Sequence, residues 1–84
     1  MKYVYVLQSL SYPDKHYTGI ADDVEKRLKL HNSGEAQSHH TKMYGPWKLI
    51  VQIGFADEVK AHEFERYLKS GSGRAFAKRH LHPH

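Results

Sequence analysis

From Trp47 to Phe55 every second residue is large and apolar. Trp47, Leu49, Val51, Ile53 and Phe55 fall on one side of an extended backbone, with Lys48, Ile50, Gln52 and Gly54 on the other. A period of two in β-branched and aromatic residues specifies a strand. Its length and apolar side make it the expected central, best-buried strand of a sheet. Its partners lie at the start of the chain. Lys2 to Gln8 puts Tyr3, Tyr5 and Leu7 on one face and Val4, Val6 and Gln8 on the other. Ser9 to Lys15 carries Ser, Pro and Asp and reads as a turn, and His16 to Ile20 as a second short strand, so the two form a hairpin.

The remaining segments read as helix and loop. Asp23 is an N-cap for a helix from Val24 to about Asn32, with Gly34 as its stop. Gly34 to Pro46 is polar and reads as a long loop. Asp57 opens a helix that reaches Lys69, Gly71-Ser72-Gly73 breaks it, and Arg74 to Leu81 forms a last short helix. The expected fold is α+β: a small three-stranded antiparallel sheet flanked by helices, in the order ββαβαα. With 84 residues, the expectation is one domain, residues 1–84, with a thin core.

Composition excludes several classes. Hydrophobic residues make up 39% of the chain, too many for a disordered tail. The absence of cysteine removes disulfide frameworks and thiolate metal sites. No apolar run approaches the ~18 residues of a membrane span, and Met1-Lys2 leads into a strand pattern, not a signal peptide. The expected setting is therefore cytoplasmic, away from membranes. The net charge of +4 is unevenly spread: Arg66 to His84 holds Arg66, Lys69, Arg74, Lys78 and Arg79 and no acid. Such a segment suits a polyanion, or else is a solvated helix face. Neither His-Glu-x-x-His nor Cys/His zinc spacing is present among the eight histidines.

Helical spacing places Val24, Arg27, Leu28 and His31 on one face of the first helix. On spacing alone, the simplest account of Arg27 is a stem that covers the core while its head reaches water. In the second helix Ala61, Phe64 and Leu68 form an apolar stripe with Glu65 at its edge. Glu65 and Lys69 also have the spacing of a helical ion pair. Across the hairpin, Tyr5 and Tyr17 can be near neighbours.

Tyr3-Val4-Tyr5-Val6-Leu7, then Tyr17-Thr18-Gly19, then Asp23 to Gly34 as a helix, occur in an order and spacing that resemble the GIY-YIG nuclease superfamily. The likeness is greatest to its small stand-alone members, similar to the N-terminal nuclease domain of excinuclease C, and runs from Tyr3 to about Leu81. It implies a metal-dependent endonuclease that hydrolyses DNA phosphodiesters in DNA repair or processing. The alternative is a non-catalytic nucleic-acid-binding module on the same fold.

The resemblance also implies roles. Tyr17, with Tyr5, activates water, and Tyr17 is preferred as general base. Arg27 stabilises the transition state with a forked, permanently charged group, and His31 assists or orients. Glu65 holds the divalent cation, Mg²⁺ or Mn²⁺, which needs only one or two carboxylates. His40, Lys42, Lys69, Arg74, Lys78 and Arg79 are the expected DNA contacts. Relatives gain target choice from additional domains, so a protein partner is expected unless DNA form alone is recognised. The match departs at Tyr3, where the first motif has Gly, and at Thr18, where the second has Ile.

Overall fold

The computed structural model describes residues 1–33 and 39–83. The order is β1 (Lys2–Ser9), β2 (His16–Ala21), α1 (Val24–Ser33), α2 (His39–Met43), β3 (Trp47–Phe55), α3 (Glu58–Leu68) and α4 (Gly71–His80). The strands form one antiparallel sheet in the order β2-β1-β3, as expected for the α+β class. Among the described residues, no helix is long and apolar enough to cross a membrane.

The central strand is β1, which corrects the expectation for Trp47–Phe55. Every residue of β1 from Val4 to Ser9 is buried, whereas β3 is a half-exposed edge strand. Both faces of β1 are covered. Val4 and Val6 pack with Ala61 and Leu68 of α3 and Ala77 of α4; Tyr5 and Leu7 pack with Ala21, Val24 of α1 and Trp47.

The single apolar face expected for β3 is also corrected. Val6 pairs with Val51 but Leu7 pairs with Leu49, so Ile50 is an extra residue in the ladder. One inserted residue reverses the alternation. Trp47 and Leu49 therefore join the Tyr5 face, while Val51 and Phe55 join the Val4 face.

Caps sit where the sequence places them. Asp23 Oδ1 accepts from Lys26 N at 3.1 Å, and Asp57 Oδ1 accepts from Val59 N at 2.8 Å and Lys60 N at 3.3 Å. Two segments differ from expectation. The 34–46 segment contains the five-residue α2 rather than loop alone, and Gly34 lies outside the described residues. Gly71-Ser72-Gly73 does not precede a helix but forms the first turn of α4, capped by Ser70, whose hydroxyl accepts from Gly73 N at 3.2 Å. Gly73 is there because α4 starts against the end of α3: a Cβ on it would lie 1.7 Å from the Tyr67 carbonyl oxygen.

Candidate active site

The site forms where β1, β2 and α1 meet. Tyr5 pairs across the sheet with Gly19, and Leu7 with Tyr17, so Tyr5 and Tyr17 are diagonal neighbours on one face with ring centroids 6.3 Å apart. Gly19 makes room for the Tyr5 ring: a Cβ there would lie 2.5 Å from Tyr5 Oη. The glycine of the second motif therefore serves the tyrosine of the first.

Helix α1 delivers the imidazole. His31, one turn beyond Arg27, is buried with Val24 and sits 4.7 Å from Tyr17 and 6.3 Å from Tyr5, ring centroid to centroid. Tyr5 Oη lies 3.1 Å from His31 Nε2, and the imidazole tautomer decides which group donates. His31 Nδ1 is buried with no hydrogen-bond partner among the described residues. Burial first, and the Arg27 charge second, hold the His31 pKa below its ordinary value, so the ring stays neutral at neutral pH.

Tyr5 is fully buried. Burial pushes its pKa up, nearby Tyr17 and the Glu65 charge add to the rise, and Arg27 opposes it. A phenol held protonated is a hydrogen-bonding group rather than a base. Tyr17 is only half-buried, with Trp47 6.5 Å behind its ring. The effects on Tyr5 also place Arg27 and Glu65 within electrostatic reach of this phenol, although Arg27 itself is exposed. Of the five expected catalytic residues, Tyr5, Tyr17 and His31 are in ring contact, and the charges of Arg27 and Glu65 act on Tyr5.

The expected DNA contacts divide. Lys69 is ion-paired: its Nζ lies 2.6 Å from Glu65 Oε2. Arg74 and Lys78 line a groove that also includes Tyr17 and Lys69. Arg79 is exposed on α4 and does not line that groove. Lys42 is exposed on α2 and does not line that groove, and the side chain of His40 lies outside the described residues.

Among the described residues, no three His, Asp or Glu side chains converge as a metal cage. The donor set fits a different kind of ion site. Mg²⁺ and Mn²⁺ are hard cations, and Mg²⁺ keeps several waters while taking one or two carboxylates. Glu65 offers one such carboxylate, with its side chain 18% exposed and its charge acting on Tyr5.

One residue has a role that the sequence did not indicate. Asn32 is a clamp between α1 and β3: its side-chain nitrogen donates to Trp47 O at 2.9 Å, and its oxygen accepts from Trp47 N at 2.6 Å. It holds the helix that carries Arg27 and His31. An Asn at the end of a helix is a visible signal, but its partner fifteen residues later is not.

The fold and site define a small α+β domain built around paired tyrosines on a hairpin and an Arg/His helix. Residues 1–79 match the family model described as the GIY-YIG catalytic domain. The UPF0213 protein CPE1444 of Clostridium perfringens is 36% identical over 69 residues, which cover 82% of this chain and 71% of that protein. The structure-specific endonuclease subunit SLX1 of Candida dubliniensis is 33% identical over an alignment of 84 positions that covers 93% of this chain but 28% of that protein. The solution NMR structure of the UPF0213 protein BH0048 from Bacillus halodurans superposes with a TM-score of 0.56 at 29% identity, covering 99% of this chain and 89% of that one. The chain belongs to the GIY-YIG family.

Proposed function

We propose that this protein is a metal-dependent endonuclease that hydrolyses DNA phosphodiester bonds, acting in DNA repair or processing. The observation that carries this reading is the meeting of Tyr5, Tyr17 and His31 in ring contact, with Arg27 and Glu65 both acting on the Tyr5 phenol. Its relation to proteins named structure-specific endonuclease subunits supports the same reaction and, through the word subunit, a protein partner that supplies target choice.

Tyr17 is the general base: its Oη, having released its own proton to solvent, takes one from the attacking water as the water oxygen bonds to phosphorus and the P–O bond to the leaving oxygen breaks. Its half-exposed position lets it reach water, whereas Tyr5 is fully buried and held protonated. Tyr5 and His31 form the hydrogen-bonded support that fixes the Tyr17 ring. Arg27 offers paired donors to the scissile phosphate, an interaction that strengthens as negative charge builds on its oxygens. Glu65 holds the Mg²⁺ or Mn²⁺ ion. When bound there, the cation supplies Lewis-acid polarisation of a phosphate oxygen.

The test is nicking of supercoiled plasmid, single-stranded and branched DNA by the purified protein with Mg²⁺ or Mn²⁺, alongside Glu65→Gln. Activity that needs the metal and disappears in Glu65→Gln with the fold intact is the expected result. DNA binding without any metal-dependent cleavage of these substrates identifies a non-catalytic binding module instead.

A further inference from the structure

A groove of about 780 Å³ runs between the first residues of β2 and the helices α3 and α4. Lys15, Lys69, Arg74 and Lys78 line it against a single acid, Asp14, and Tyr17 forms part of its wall. At His16 and His82, which also line it, the imidazoles stack at 3.7 Å with their planes 5° apart. Glu65 is not part of the lining; Lys69 is, and it is also the partner of Glu65.

We propose that this groove binds the sugar–phosphate chain of a nucleic acid, and that Lys69 couples its occupancy to cation binding at Glu65 by leaving the carboxylate for a phosphate. The inference rests on the nucleic-acid role given to the site above. The coupling is one of competition for a carboxylate. The Glu65 side chain is 18% exposed and that of Lys69 52%. The carboxylate is thus anchored, and the ammonium sits on a flexible four-carbon stem at the groove surface. With the groove empty, Lys69 occupies an oxygen of the carboxylate that a divalent cation needs. A phosphodiester among Lys15, Arg74 and Lys78 gives the ammonium a second anion of the same kind. Moving to it releases the Glu65 oxygen and adds a contact to the strand. By linkage the effect is reciprocal: a cation on Glu65 frees Lys69 for phosphate. The device favours metal loading when a strand is in place.

The experiment measures Mn²⁺ affinity from the electron paramagnetic resonance signal of the free ion, and oligothymidylate affinity by fluorescence anisotropy in EDTA. It compares wild type, Lys69→Gln and Lys78→Gln, with circular dichroism to verify folding. Lys78→Gln makes the same charge change in the same groove without touching Glu65. Without nucleic acid, Lys69→Gln should bind Mn²⁺ roughly two- to fivefold more tightly than wild type, the range that an exposed ion pair is worth. Lys78→Gln should change it less. Oligothymidylate affinity should fall in both variants. Adding oligothymidylate should tighten Mn²⁺ binding by the wild type, read at once after mixing, and this gain should shrink in Lys69→Gln. Equal Mn²⁺ affinities for the two variants, or oligothymidylate affinity indifferent to both substitutions, overturns the proposal. Linkage in a protein that cleaves nothing keeps the coupling and discards the nuclease. Cleavage without linkage discards the coupling alone.

Discussion

Replacing Gly19 with alanine tests how the site is built. The new Cβ would sit 2.5 Å from Tyr5 Oη, 2.6 Å from Tyr5 Cζ and 3.0 Å from Tyr17 Cε2. Ordinary carbon contacts lie at about 3.5–4.0 Å, so the Tyr5 ring must move by roughly 1 Å. It has little room to do so, being fully buried beside Tyr17 and His31. Overpacking of this kind costs about 1–3 kcal/mol, and losing the Tyr5–His31 hydrogen bond adds about 0.5–1.5 kcal/mol. In a domain of this size each kcal/mol moves Tm by about 4–8 °C, so a fall on the order of 10–20 °C is expected by scanning calorimetry. Gly71→Ala is the control. Nothing lies within 4 Å of its Cβ, in the first turn of α4, and the change should stabilise by up to about 1 kcal/mol. Tyr5→Phe combined with Gly19→Ala should lose less than the sum of the single variants, because one of the two closest contacts disappears. A Gly19→Ala protein that melts with the wild type refutes the packing account, and with it the idea that this glycine exists to seat Tyr5.

Arg27→Ala should lower the cleavage rate far more than DNA affinity and leave Tm nearly unchanged, since the side chain is exposed; Arg27→Lys should recover little because the fork is lost. Equal losses in rate and affinity, compared by single-turnover kinetics and anisotropy, make it an ordinary backbone contact. Asn32→Ala removes both hydrogen bonds to the Trp47 backbone and should cost about 1–3 kcal/mol in urea unfolding, with a further loss of cleavage as α1 loosens. Burial lowers the pKa of His31, His16 and His82 from 6.5, so below that value the unfolded chain binds more protons than the folded one. Stability is therefore fully present above about pH 6.5 and declines toward about pH 5. His31→Gln should shrink the difference between urea midpoints at those two pH values, and an unchanged difference would clear His31 of the effect.

The existence and type of the three strands and of the helices at α1 and α3 are legible in the sequence, because alternation and caps are local signals. Which strand lies in the middle is harder to read. A strand buried on both faces reads as a near-continuous apolar run, and one facing water on a side alternates. Tyr3-Val4-Tyr5-Val6-Leu7 is the continuous run and Trp47–Phe55 the alternating one, so the signal is present, but the longer stretch is the less buried one. The bulge at Ile50 is not legible. It exists only relative to the residues opposite, and its one local trace in β3 is an apolar Ile50 among Lys48, Gln52 and Gly54. The Gly71–Gly73 start of α4 is hidden for a similar reason: Gly73 answers the Tyr67 carbonyl of the preceding helix, a constraint that looks like a helix break when read along one segment.

The candidate site is legible as residues but not as geometry. Spacing puts Val24, Arg27, Leu28 and His31 on one helix face, yet the structure buries Val24 and His31 and leaves Arg27 exposed, so the stripe splits into a supporting ring and a cation at the surface. Spacing cannot separate the two accounts of Glu65 either, because an ion pair with Lys69 and a carboxylate that holds a cation use the same turn of helix. The structure shows the ion pair: the carboxylate pairs with Lys69, and its charge also acts on Tyr5. The ion pair and a cation are rival claims on one carboxylate, and under the coupling proposed above a lysine that also lines the groove makes the state of Glu65 depend on what the groove contains.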